Sequence, residues 1–396
     1  MSMRFLEVPD ETKMDRGSIV KPETLSVLLC PVCRDRLQVT VVTAVTCNDR
    51  MRDGLLQCEG CRQSFPVLNW VPRLLPYQYL TVDERQALEA MNLQSDIKPR
   101  LVEEERLDAA ELQEHLEKRI RTKMNPSILP DKLRERLERD IDYRLRHNRE
   151  KGKFIRTAQA YLDNTPSRIL DVGGGQGGAL TNFDKYFKPE IAVLLDIDPD
   201  WVEMAWLLDP DTDVVRADAT RIPLADDCMD FIFSSATLEH IEDWKSAVHE
   251  MVRVGKQGLI CYNPNAGFPY DFGHLDSPLV TWLPKSIALK VAQFFHCVRR
   301  TGRTLDSIRA ELAATVYIHR SSVVRELTRC GVEVDNAFGE FMKQTVQESY
   351  HISGERIFSF FRRHPNTLAI FTKALVLMGA EPNVYLFYRR REKKRD

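Results

Sequence analysis

The sequence has almost no net charge: 56 Lys and Arg against 58 Asp and Glu leave a formal charge of −2 over 396 residues. A chain so balanced carries no dominant field for nucleic acid or an anionic membrane, which weakens an RNA-binding reading without excluding it. Long apolar runs are missing too. The best candidate, Leu368 to Ala380, is interrupted by Lys373 and falls short of the roughly 20 residues that span a bilayer, so it reads as buried or interfacial. The N-terminal stretch has acids and Pro9 where a secretory signal has an apolar segment, and the expected location is cytoplasmic. In that setting the nine cysteines are thiols or metal ligands rather than disulfides. Internal repeats and low-complexity tracts are also lacking.

What is present is 43% hydrophobic and 29% charged, the balance of a globular chain long enough for one large domain with smaller attachments. Residues 1–20 are polar and weakly patterned, a flexible N-terminus. Residues 21–78 hold two cysteine pairs, Cys30-Pro-Val-Cys33 and Cys58-Glu-Gly-Cys61, around β-rich sequence from Leu37 to Cys47. Each C-x-x-C knuckle supplies two thiolates from one tight turn, and two knuckles complete a tetrahedral zinc site. Redox dithiol chemistry is the rival reading, and Cys47 has no obvious partner. Residues 79–160 turn to Glu, Arg, Leu and Lys with helical spacing (Leu133, Leu137, Ile141, Leu145), a helical arm broken at Pro126 and Pro130. Its interleaved charges read as solvated helix faces, with an RNA-binding stripe as the alternative.

From residue 161 to 390 short apolar strands alternate with amphipathic helices, the pattern of βαβ units and a parallel sheet. The strands expected are Arg168 to Val172, Ile191 to Leu195, Val214 to Ala217, Phe231 to Ser235, Gly258 to Tyr262, Val332 to Phe338 and Asn383 to Tyr388. Two insertions interrupt this pattern, at about residues 264–319 and 340–381, and residues 391–396 form a basic tail. The fold class is α/β: a seven-stranded, mostly parallel sheet with helices on both faces, preceded by the ribbon and the arm.

The first of these strands ends in Asp171 and runs into Gly173, Gly174, Gly175, Gly177 and Gly178 before a helix. Such a turn lets the backbone approach a ligand and presents a helix N-terminus, so a nucleotide-like ligand is implied. Taken alone, the glycines also satisfy the dinucleotide fingerprint. The carboxylates decide. S-adenosylmethionine (SAM) offers an ammonium and a sulfonium to Asp171, which would repel a diphosphate. Asp196 closes the next strand, where an acid accepts hydrogen bonds from both ribose hydroxyls. One strand later Asp218 suits the exocyclic amine of adenine.

Residues Ile169 to Gly178, Val193 to Pro199, Asp218 to Pro223 and Asp230 to Ile241 resemble the successive motifs of class I SAM-dependent methyltransferases of the type 11-like kind, with their Rossmann-like sheet. That resemblance implies that Asp171, Gly173, Gly175 and Gly177 hold the methionine part, Asp196 the ribose, and Asp218 and Ala219 the adenine, with Ser234 lining the cleft below the sulfonium. The N-terminal unit, with Phe65 to Pro76 as its apolar tail, resembles the small zinc-ribbon activator subunits of tRNA and release-factor methyltransferases. This implies structural Zn²⁺ on Cys30, Cys33, Cys58 and Cys61, and a ribbon that shields an apolar face of the neighbouring domain. Asn69-Trp70 stands where those ribbons have Asp-Gly.

Methyl transfer from an activated sulfonium asks mainly for positioning and, with a hydroxyl acceptor, a base. In the first insertion His274, with Asp271 or Asp276, is the candidate base, and His240 is the second. The segment Phe268 to Pro284 resembles insertions in bacterial methyltransferases linked to surface glycans and lipid-linked metabolites. The favoured reading is therefore transfer to an oxygen or nitrogen of a small molecule such as a sugar or lipid-linked intermediate. The alternatives are a tRNA or rRNA methyltransferase that grips RNA with the ribbon and arm, and a non-catalytic SAM-binding scaffold or regulator. Oligomeric state is not legible.

Overall fold

The structure, a computed structural model, describes residues 22–45, 51–93, 100–101, 151–175, 177–208, 212–272, 274–348 and 355–391. Cys47, Pro126, Pro130 and the periodic residues Leu133 to Leu145 lie outside them.

The N-terminal unit is a β-meander of β1 (Leu37–Val45), β2 (Met51–Cys58), β3 (Ser64–Leu68) and β4 (Val71–Leu74), with a short β5 (Arg100–Leu101) parallel to β1. The large domain supplies β6 (Arg168–Val172), β7 (Ile191–Asp196), β8 (Asp213–Ala217), β9 (Met229–Ser235), β10 (Gly255–Pro264), a small ladder of β11 (Tyr270–Asp271) and β12 (Ser277–Pro278), then β13 (Val332–Asn336) and β14 (Asn383–Arg390). Its seven-stranded sheet has the order β13-β14-β10-β9-β6-β7-β8, parallel except for β14, which runs antiparallel to both neighbours. All seven expected strands are present, within a few residues of their expected ends.

The expected sheet stops at β8, but the observed one does not. β4 pairs with β8 in parallel, Arg73 opposite Arg216 and Leu74 opposite Ala217, so the ribbon continues the sheet to twelve strands. The class is as expected; the strand count is larger because the ribbon's last strand finds the open edge of β8, a pairing that depends on residues far apart in the chain.

Alternation along the strands sends their side chains to two cores. Leu170, Val172, Val193 and Leu195 face one cluster, with Met251 and Val323 from the helices Trp244–Val254 and Arg320–Arg329. Ile169 and Leu194 face the other, with Phe154 from the helix Gly152–Gln159 and Phe341 from the helix Phe338–Glu348. Phe154, read by its sequence as part of the arm, stacks on Phe341 with ring centroids 5.1 Å apart. The ribbon residues Leu28, Leu56, Phe65 and Leu74 join the first core directly, so the two units share one apolar cluster.

Three buried charges fasten this junction. Glu84, capping-box partner of Thr81 at the start of the helix Val82–Asn92, lies 3.3 Å from Arg73 Nε and also pairs with Arg216. Nearby, Trp70 at the β3–β4 turn stacks on Trp206 of the helix Pro199–Leu208 at 5.3 Å. Asn69 and Trp70 both have positive φ, 48° and 70°, as a two-residue hairpin turn demands. The familiar Asp-Gly is replaced here because the second turn residue is also a buried anchor.

The first insertion, with helices Lys285–Arg299 and Leu305–Ala314, has a small core of its own around Leu275, Val280, Ala288 and Ile308. The second consists of helices Phe338–Glu348, Glu355–Arg363 and Pro365–Met378. In the last, Leu368 and Thr372 are buried while Ile370, Leu377 and Met378 are exposed, so the apolar run has one covered face. Among the described residues no helix is long and apolar enough to cross a membrane.

Candidate functional site

The glycine turn joins β6 to the helix Leu180–Tyr186. Gly173, Gly175 and Gly177 all take positive φ, at 68°, 57° and 86°. At Gly173 a Cβ would stand 2.2 Å from Thr237 Cγ2, whereas at Gly175 it would meet nothing within 4 Å. Gly173 is thus held against the β9 loop, and Gly175 borders open space, where a ligand can approach the backbone. Asp196 at the end of β7 fixes the turn, accepting from Gly175 N at 2.9 Å and Asp198 N at 2.9 Å.

Asp171 lies beneath this turn, 1% exposed, and among the described residues its Oδ2 has no hydrogen-bond partner. Burial lifts its pKa to about 7, against the pull of Lys151 and with a smaller push from Asp196. A buried carboxylate left half-satisfied beside an open glycine turn fits a cationic ligand group. Lys151, itself buried, enters from the start of the helix Gly152–Gln159 and had no signal in the sequence beyond its place in a charged arm. Asp218 caps the short helix Ala219–Arg221 by accepting from Thr220 N at 2.8 Å, with Ala219 buried beside it. Ser234 on β9 is fully buried and its Oγ is unpartnered.

A second polar group gathers behind β9. Thr237 Oγ1 donates to Val172 O at 3.2 Å, and Asn263 on β10 receives Leu238 N at 2.9 Å, fixing the loop that carries Glu239 and His240. Glu239 is 0% exposed, both its carboxylate oxygens lack hydrogen-bond partners among the described residues, and burial raises its pKa to about 7. His274 Nε2 is 3.8 Å from Glu239 Oε1 and 3.4 Å from His240 Nε2. Of the two acids proposed for His274, Asp271 faces it, with Oδ1 3.6 Å from Nδ1. Asp276 does not: it accepts from Tyr270 and pairs with Arg299 at 2.8 Å, because the β11–β12 turn carries it outward.

Asp271 is fixed by Leu275 N at 2.9 Å and Tyr317 Oη at 2.7 Å. Burial alone would raise it, but these donors and His274 hold it well below the usual carboxylate range. Burial opposes charge on His274, yet Asp271 and Glu239 outweigh it and raise the imidazole. Burial and the neighbouring His274 lower His240. The two histidines and Asp271 named from the sequence lie together here, and Glu239, which the sequence did not single out, joins them where the insertion folds over it.

The four expected cysteines converge. Cys30 Sγ is 3.6 Å from Cys61 Sγ and Cys33 Sγ is 3.3 Å from Cys58 Sγ, with all four sulfurs within 4.8 Å. These separations exceed a disulfide and approach the roughly 3.8 Å between sulfurs on a tetrahedral zinc ion. Val32 N and Cys61 N point at sulfurs, and Arg34 and Arg62 turn through positive φ just after each pair.

Residues 170–262, from β6 to β10, match a family model described as a methyltransferase domain. The chain carries a methyltransferase domain. Residues 21–69 match the family described as Trm112p-like protein, so a Trm112p-like unit precedes it. Among curated proteins, a demethylmenaquinone methyltransferase from Renibacterium salmoninarum is 34% identical over 92 residues, 23% of this chain and 38% of that one. A malonyl-[acyl-carrier protein] O-methyltransferase from Methylococcus capsulatus is 30% identical over 113 residues, 28% of this chain and 41% of that one. The chain thus spans about two fifths of the length of the curated relatives it matches. Among solved structures, a chain from a complex of the Haloferax volcanii Trm112 methyltransferase activator is 13% identical, with a TM-score of 0.39, covering 64% of this chain and 95% of that one. A SAM-dependent methyltransferase from Aquifex aeolicus is 21% identical, with a TM-score of 0.29, covering 42% and 72%.

Proposed function

We propose that the chain transfers a methyl group from SAM to an oxygen or nitrogen of a small-molecule acceptor, of the sugar or lipid-linked class. The observation that carries the donor assignment is Asp171: a buried carboxylate with an unpartnered oxygen under a glycine turn, where a diphosphate would be repelled and an ammonium held. Asp196 and Asp218 follow at the next two strand ends, suited to the ribose and the adenine, with Ala219 against the ring and Ser234 below the sulfonium. Gly173, Gly175 and Gly177 shape the backbone around the methionine part.

The acceptor end is the cluster of Glu239, His240 and His274, backed by Asp271, into which a hydroxyl acceptor's proton leaves. The curated relatives are named for a demethylated quinone and a malonyl group on an acyl-carrier protein, neither of them RNA. RNA is less well supported, since the balanced charge gives no dominant field for it and the ribbon's Leu28, Leu56, Phe65 and Leu74 are buried in a core shared with the methyltransferase domain. Structural zinc on Cys30, Cys33, Cys58 and Cys61 staples that ribbon.

The test is calorimetry with SAM, followed by incubation with labelled SAM and fractionated cell extract. Binding that Asp171→Asn weakens, with label entering a low-molecular-mass or lipid fraction, agrees with the proposal. Label confined to RNA or protein, or tight SAM binding with no transfer to any fraction, contradicts it.

A further inference from the structure

The two histidines of the acceptor-end cluster are poised in an unusual way. Behind His274, Asp271 Oδ1 lies 3.6 Å from Nδ1; behind His240, the Ala314 carbonyl lies 3.4 Å from Nδ1. An acceptor behind a ring favours the tautomer that carries its proton on that side, which leaves the other nitrogen's lone pair free. The two Nε2 atoms face one another across 3.4 Å, a hydrogen bond in one pair of tautomers and two converging lone pairs in the other, with Glu239 Oε1 3.8 Å from His274 Nε2. In the second pair of tautomers both lone pairs and the carboxylate converge on one point, an arrangement that holds a cation. Glu239 faces the same point: among the described residues neither of its oxygens has a hydrogen-bond partner, and the residue is 0% exposed.

From this geometry we propose that Glu239, His240 and His274 bind a divalent first-row transition cation. The donor set is right for one, because imidazole nitrogen with a carboxylate selects Mn, Fe, Co, Ni or Zn over the hard cations that prefer oxygen alone. The spacing is right too: nitrogens bonded to one metal at about 2.05 Å and tetrahedral angles stand about 3.3 Å apart, against 3.4 Å here. Asp271 lies 3.6 Å from His274 Nδ1, on the side where metal-bound histidines commonly have an orienting carboxylate, and it is itself locked by Leu275 N and Tyr317 Oη. Three protein ligands leave positions open, and His240, the exposed member, is the side from which solvent or an acceptor oxygen enters. With the cation bound these three side chains would position and polarise an acceptor oxygen instead of taking its proton themselves, a role that rests on the methyltransferase reading; the binding of the cation does not.

The rival for the central charge is a proton shared between the imidazoles, and a metal titration separates the two. The full chain, with its cysteine site saturated by zinc, is titrated with Co²⁺ and followed by visible d–d absorption. The expected result is one equivalent bound without a thiolate charge-transfer band, with affinity falling at least 100-fold in Glu239→Gln and in His240→Ala. Circular dichroism confirms that each variant is folded. No d–d band in the wild type, or a band that both variants leave unchanged, overturns the site. SAM binding by calorimetry on the same samples reports on the methyltransferase reading separately: retained SAM binding without cobalt binding removes only the cation.

Discussion

Trp70 lies flat against Trp206, the ring planes 9° apart and the centroids separated by 5.3 Å, although one belongs to a hairpin turn of the ribbon and the other to a helix of the methyltransferase domain. The contact joins the two units through an aromatic pair whose stacking adds to the area it buries. Trp70→Ala is expected to lower unfolding stability by about 3 to 5 kcal/mol, the range for emptying a buried aromatic site. Trp70→Gly loses the same stacking but relieves the positive φ, so it should recover about 1 kcal/mol relative to Ala. Denaturant midpoints of the two variants measure both effects. Equal stability of Ala and Gly would show that the turn's conformation carries no strain.

Asp171 sets a pH dependence with a definite sign. Its folded pKa, raised to about 7 by burial, exceeds that of the unfolded chain. The ligand-free protein therefore loses stability as pH rises from about 4 to about 7 on account of this group, with no further change from it above that. SAM binding runs the other way, because its ammonium needs the ionised form. Affinity is expected to fall about tenfold per unit below pH 7, and Asp171→Asn should flatten this slope in calorimetry across pH 5.5 to 8.

Gly173 is pressed against Thr237. Gly173→Ala places a Cβ 2.2 Å from Thr237 Cγ2 at a φ of 68°, and should cost roughly 2 to 4 kcal/mol from overpacking and left-handed strain together. Adding Thr237→Ala removes the two nearest atoms and is expected to recover the steric part, leaving about 1 to 2 kcal/mol of backbone strain. A double-mutant cycle read by thermal denaturation checks this. Additive losses would contradict the contact.

Glu84 stands between Arg73 and Arg216, all three nearly buried. Glu84→Ala removes the carboxylate that Arg73 and Arg216 share, leaving Arg73 to Glu203 and Arg216 to the Ile197 and Tyr79 carbonyls, and should destabilise by about 3 kcal/mol, whereas replacing all three with apolar residues of similar volume should cost far less. Urea unfolding distinguishes these outcomes.

Extracting zinc from the cysteine cluster should lower the melting temperature of the whole chain, because Leu28, Leu56, Phe65 and Leu74 belong to the core that β6 and β7 also build. Two separate thermal transitions after chelation, with SAM affinity intact, would show that the ribbon is only appended.

How much of this was legible depends on the range of the interaction. The strands from β6 to β10 are written in local apolar runs, and the acids Asp171, Asp196 and Asp218 announce themselves by ending them. The cysteine knuckles are equally local. Arg73, Glu84 and Arg216 were not legible, since a charged residue in an ordinary strand or helix gives no hint that a partner over a hundred positions away will bury it. Glu239 was hidden for the same reason: the insertion that carries His274 has to close over it. His274 could be narrowed to two acids, but only the β11–β12 turn showed which one faces it.

The parallel pairing of β4 with β8 has a consequence for how the chain behaves in company. Without its ribbon, β8 would present a row of unpaired amide and carbonyl groups beside uncovered apolar side chains, the template on which strands of other molecules assemble. The ribbon is therefore the chain's own guard against self-association. Molecules that lose it should fail first by aggregating in proportion to their concentration, before any loss of the methyl-donor site itself.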